Sequence, residues 1–179
     1  MNVSQSSYFS MAGANNRLLL RPPSPEDGAA IHQLIEQSPP LDVNSCYAYL
    51  LQTVHFADTC VVAKDSDNTI AAYISAYIPP KKSNTLFVWQ VAVAEAYRGQ
   101  RLAAQMIQHL LHRPVCAAVQ YLETTVSPSN QSSAKLFKHL AAQLNAPCVV
   151  SELFSAELFG HGTHEAEELF RIGAFCLAH

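Results

Sequence analysis

Residues 85–110, TLFVWQVAVAEAYRGQRLAAQMIQHL, set an apolar run, a short polar loop and an apolar-periodic segment in immediate succession. Leu86 to Val93 is too short for a buried helix and is rich in Val, Phe and Trp, which predicts a central strand. From Leu102 the apolar residues fall at 102, 103, 106, 107, 110 and 111, one face of a helix that Pro114 stops. Between them, Ala96 to Ala103 must turn the chain sharply and aim several backbone amides at one spot. The first amides of a helix have no partner inside it, and the macrodipole adds about half a positive charge there, so that spot suits a pyrophosphate. Arg98 and Arg101 add formal charge.

The whole chain is consistent with one domain. At 179 residues, 49% hydrophobic and 14% charged, it can bury a substantial core and is not a disordered polymer. It holds no apolar run of membrane-spanning length and opens without a basic segment followed by an apolar one, so a soluble, cytoplasmic protein is expected. Five cysteines, at 46, 60, 116, 148 and 176, form no C-x-x-C pair and read as small core residues in a reducing compartment. A net charge of −3, with no basic cluster beyond Lys81-Lys82, argues against nucleic acid as the main partner.

Residues 1–16 are polar, small and without period, and are read as a disordered leader, with a single domain over 17–179. Arg17 to Arg21 predicts a strand and Ser24 the cap of a helix, with Pro25 at its first position. Asp42 or Asn44 can cap a second helix, Ser45 to about Thr53. Thr59 to Lys64 and Thr69 to Ile78 read as a hairpin, Tyr121 to Val126 as a strand, Gln131 to Gln143 as a helix, and Cys148 to Phe154 and Glu168 to Ile172 as the last strands.

Arg98 to Ala103 resembles the acetyl-CoA-binding motif of the GNAT acetyltransferases, R/Q-x-x-G-x-G/A, with Arg98 in first place, Ala103 in last and Arg101 where the family has glycine. Thr124 to Phe137 resembles the family's second segment, a strand followed by N-x-x-[SA]-x-x-L-[YF], and the element order matches. The resemblance implies a mixed α/β (α+β) sheet whose central, splayed parallel strand pair admits acetyl-CoA, with helices on both faces. It implies cofactor contacts from Arg98, Gly99, Gln100, Arg101, Leu102, Ala103 and Asn130, and from the backbone of Val91 and Val93, which can pair with the pantetheine arm. Phe137 stands where the family often has a tyrosine acid.

Longer strings, LDVNSCYAYLL (41–51), HFADTCVV (55–62), TLFVWQVAV (85–93), LETTVSPSN (122–130) and ELFGHGTHEAEELFRIG (157–173), resemble the branch of that family that acetylates L-2,4-diaminobutyrate in ectoine biosynthesis. That resemblance implies transfer to the γ-amine, a homodimer, and no metal. It favours Glu167 as base or proton relay with His164 beside it, and Asp42 and Trp89 as substrate contacts; Glu123, alternating with Tyr121 and Thr125, is a further substrate-contact candidate from the strand pattern. From the residues alone other readings stay open. Trp89 alternates with Phe87 and Val91 as a core residue would, Glu123, Glu165, Glu167 and Glu168 are all candidate carboxylates, and His161-x-x-His164 could mark a metal. An acetyltransferase of another small amine, or an acyl-CoA-binding module without turnover, also fits. No cysteine lies in these motifs, so direct transfer without an acyl-enzyme is expected.

Overall fold

The computed structural model describes residues 7–10, 17–160, 162 and 164–177. The chain divides into two compact units, residues 1–77 with 90–117 and residues 78–89 with 118–179, and one strand runs through both.

In the first unit the strands are β1 (Ser7–Ser10), β2 (Arg17–Arg21), β3 (Val61–Lys64), β4 (Ile70–Tyr77) and the second half of β5 (Thr85–Val93), adjacent in that order. β1 to β4 pair antiparallel. The helices are α1 (Gly28–Glu36), α2 (Cys46–His55) and α3 (Leu102–Leu111). Ile31, Leu34 and Ile35 of α1 join Tyr49 of α2, Val62 of β3, Tyr73 of β4 and Ala92 of β5 in one buried cluster. β4 touches both α1 and α3 and is buried at every position but its last, as a strand covered on both faces must be. Each fully buried Leu, Ile or Phe side chain here contributes about 1.5–3 kcal/mol.

Asp27 is the polar pin of this unit. Its buried carboxylate accepts from Arg21 at 2.7 and 2.9 Å, from Lys64 at 3.0 Å and from the Ser24 amide at 2.8 Å. Burial pushes the carboxyl up, but the bonds from Arg21, Ser24 and Lys64 outweigh it and hold the group down at about 2. Its contribution is therefore whole above the unfolded value of 3.8 and is lost as pH falls through about 2, a swing on the order of 2 kcal/mol. Denaturant titrations at pH 5 and pH 2 are expected to show this loss in the wild type and its absence in Asp27→Asn; equal acid sensitivity of the two would refute it.

In the second unit the first half of β5 lies parallel to β6 (Tyr121–Val126), then comes β8 (Glu167–Gly173) and at the edge β7 (Cys148–Phe154), both antiparallel; α4 (Gln131–Gln143) packs on β8. The parallel ladder spans Thr85–Val88 and Tyr121–Thr124, and each strand runs on past it. Phe137, Leu140 and Ala141 of α4 are buried.

Three expectations change. Ser7–Ser10, inside the segment read as a disordered leader, forms β1, because pairing with β2 satisfies its backbone groups whatever its composition; the rest of 1–16 lies outside the described residues. α2 is capped by Ser45, whose hydroxyl accepts from Ala48 N at 3.3 Å, and neither Asp42 nor Asn44 caps it. The cysteines are not all core residues: Cys60 and Cys116 are buried, and burial pushes the Cys116 thiol up to about 11, while Cys46 and Cys148 are half-buried and Cys176 is exposed.

Candidate active site

The first unit carries the loop that the sequence marks as suited to a pyrophosphate. After β5 a 3-10 turn, Glu95–Tyr97, leads to Gly99 at φ 75° and Arg101 at φ 58°. Glycine takes the left-handed region freely, but a residue with a Cβ pays about 1–2 kcal/mol to hold it, which explains why the GNAT pattern has glycine at the position of Arg101. Arg101 is the N-cap of α3, and its side chain makes no cap bond, so the leading amides of α3 have neither an intrahelical acceptor nor a side-chain one. That arrangement fits a pyrophosphate. Leu102 is buried and Ala103 half-buried, so at both it is the backbone that can serve a ligand.

Three bonds hold the loop in place. Arg98 Nε donates to the carbonyl of Val93 at 2.9 Å, Gln100 Nε2 to that of Ala96 at 3.4 Å, and Tyr97 Oη to Asp65 Oδ2 at 2.7 Å. Asp65 Oδ1 in turn accepts from the amides of Asp67 and Thr69 at 3.0 and 2.9 Å, so the β3–β4 turn is locked to the residue before Arg98. Burial pushes the Asp65 carboxyl up, and the bonds from Tyr97, Thr69 and Asp67 bring it below the usual range. Reading the sequence missed this tie, since neither a lone tyrosine nor a turn aspartate signals a partner 32 positions away.

Asp42 lies exposed in the turn before α2. Its carbonyl accepts from Gln90 Nε2 at 2.7 Å, and the Gln90 amide donates to Ser75 Oγ at 3.1 Å. Gln90 was also missed, although a glutamine within VWQVAV is a signal of a buried polar task. Val91 and Val93 are half-buried on one face of β5, alternating with buried Gln90 and Ala92.

The second unit carries the carboxylates and the aromatic wall. Trp89 is 47% exposed, so it is not a core residue; with Phe87 it stands on the open face of β5. Glu123 is only 3% exposed, and its oxygens are bound by Lys82 Nζ, at 3.0 and 2.9 Å, and by Arg171 Nη1. Asn130 caps α4, accepting from Ser133 N at 3.1 Å, and Glu165 accepts from Ser129 N at 3.0 Å, which anchors the segment before β8 to that cap. His164 Nδ1 lies 2.7 Å from the Glu165 carbonyl, and its ring stacks on Phe159 at 3.8 Å, which meets Phe154 edge-on. Glu167 opens β8 opposite Phe154 and is half-buried. Phe137 is buried in the core and has no proton to give.

Among the described residues no group of three or more His, Cys, Asp and Glu could hold a metal ion; His161 lies outside them.

The chain belongs to the acetyltransferase (GNAT) family, whose model matches residues 28–141. It is 48% identical over 159 residues, 89% of this chain and 86% of the relative, to the L-2,4-diaminobutyric acid acetyltransferase of Bordetella parapertussis. The enzyme of the same name from Halomonas elongata is 45% identical, with 88% of this chain and 82% of the relative covered. Among solved structures, the diaminobutyrate acetyltransferase of Paenibacillus lautus, in complex with its substrate L-2,4-diaminobutyric acid and coenzyme A, matches at 41% identity and a TM-score of 0.85 over 90% of this chain and 98% of that one.

Proposed function

We propose that this chain transfers the acetyl group of acetyl-CoA directly to the γ-amine of L-2,4-diaminobutyrate, a step toward ectoine, with residues 17–179 acting as one catalytic domain. The observation that carries the reading is the likeness to the Paenibacillus lautus enzyme, at 41% identity over 90% of the chain, in complex with that amine and coenzyme A. The γ-nitrogen attacks the thioester carbonyl, the new C–N bond replaces C–S, and coenzyme A departs as the thiol.

The loop from Arg98 through Gly99, Gln100, Arg101 and Leu102 to Ala103 holds the pyrophosphate, with Asn130 as a further cofactor contact. Backbone groups of Val91 and Val93 hold the pantetheine arm. Asp42 and Glu123 receive the substrate's ammonium groups and Trp89 walls the amine. Glu167, with His164 beside it, accepts the proton that the γ-nitrogen sheds.

The chain works as a cytoplasmic homodimer in this reading. The edge strand β7 supports the pairing: Val149, Val150, Leu153 and Phe154 are all exposed on it, with Leu158 and Phe159 just beyond. Light scattering is expected to give twice the monomer mass of 19.6 kDa, and a monomer at micromolar concentration would refute it. Acetyl transfer itself is tested by the thiol released when the chain meets acetyl-CoA and L-2,4-diaminobutyrate together; no release above the rate with acetyl-CoA alone would refute the reading.

A further inference from the structure

Glu123 is a nearly inaccessible carboxylate held by two cations that are fixed to different degrees. Arg171 is anchored: it sits opposite Glu123 in the β6–β8 register, and its guanidinium lies 3.9 Å over the Tyr121 ring. Lys82 comes from the turn before β5, where its amide donates to the Pro79 carbonyl, and its side chain is 50% exposed, against 35% for Arg171. One anchored arginine already neutralises one carboxylate, so the cluster carries a surplus positive charge, and Lys82 is the more exposed of its two cations.

The geometry of the Lys82 contact is that of a receptor for a primary ammonium. Nζ lies 3.0 and 2.9 Å from the two oxygens of Glu123. Glu123 pairs with Phe87 in the parallel register, so its side chain shares the face of the sheet on which Phe87 and exposed Trp89 stand. A buried carboxylate on the same sheet face as an exposed indole, closed by a half-exposed alkylammonium, is chemically matched to a small diamine.

We propose that Lys82 is an internal stand-in for a substrate ammonium: it occupies Glu123 in the free chain and swings into solvent when an ammonium of diaminobutyrate takes its place. The inference rests on the proposed amine substrate. It makes the substrate compete with a tethered side chain, so apparent affinity is reduced by the fraction of time the carboxylate is open. The device also favours amines that bind Glu123 better than a lysine head does.

The test is steady-state kinetics of Lys82→Ala and Lys82→Met, the second keeping the apolar stem should the first fail to fold, with the melting temperature of each recorded. The KM for diaminobutyrate is expected to fall about three- to tenfold in both, with the KM for acetyl-CoA unmoved. Lys82→Arg, whose planar fork grips a carboxylate at two points, is expected to raise it. A KM for diaminobutyrate that is unchanged or raised in a folded Lys82→Ala or Lys82→Met chain, while the wild type turns diaminobutyrate over, overturns the stand-in alone. A wild type inactive with diaminobutyrate overturns the substrate reading itself.

Discussion

Glu167→Gln is expected to cut kcat at pH 7 by about 10²- to 10⁴-fold, the range that a positioned general base supplies. The γ-amine has a pKa of about 10, so at neutral pH it arrives as an ammonium, and stripping the proton costs about 3 pH units, or roughly 4 kcal/mol. Glutamine keeps the shape of the side chain at the start of β8 and removes only its capacity to take a proton. Since a carboxylate is useful only while the amine arrives protonated, the deficit should shrink as pH rises: the variant's rate should climb about tenfold per pH unit toward the free amine's pKa, while the wild type gains less. A pH–rate profile of both proteins checks this. Full activity of Glu167→Gln at pH 7 would remove the residue from proton transfer, and a deficit constant with pH would assign it to substrate binding instead.

Arg98→Ala is expected to weaken acetyl-CoA binding by about 1–3 kcal/mol, the worth of a charge-assisted contact, and to leave diaminobutyrate affinity nearly alone. Two losses add in this variant. One is the formal charge beside the helix start. The other is the 2.9 Å bond from Nε to the Val93 carbonyl, which joins the loop to the end of β5. Lysine at the same position separates them, because it restores the charge without the planar fork. Calorimetric titration with coenzyme A measures both variants; an unaltered dissociation constant in Arg98→Ala would take the loop out of the site.

How far the sequence discloses this molecule depends on how local each feature is. The strand, loop and helix from Thr85 to Leu111 are legible because period, turn and breaker all fall within one stretch, and β6, α4 and β7 start and end where their patterns do. α2 extends to His55, two residues past the expected end, and Ser45, expected as its first residue, is instead its cap, one position after Asn44. The extended backbone at Ser45 and its bond from Ala48 N make it the cap. β1 has no signal of its own, since its order comes from a neighbour. The turn into α3 is legible, but the long-range ties are not: Tyr97 meets Asp65, and Glu123 meets Lys82 and Arg171, across 32 to 48 positions. Trp89 shows the limit of periodicity. Alternation with Phe87 and Val91 gives the face it shares, and only the fold reveals that this face is open.

The most direct test of the account is the identity of the acetylated nitrogen. Wild-type chain, acetyl-CoA and L-2,4-diaminobutyrate are incubated at pH 7, thiol release is followed, and the product is read by NMR, with lysine, ornithine and polyamines run in parallel. N-γ-acetyl-diaminobutyrate is the expected product, formed stoichiometrically with free thiol and with a kcat/KM above that for every other amine. A product acetylated mainly on the α-nitrogen, or faster turnover of another amine, would contradict it.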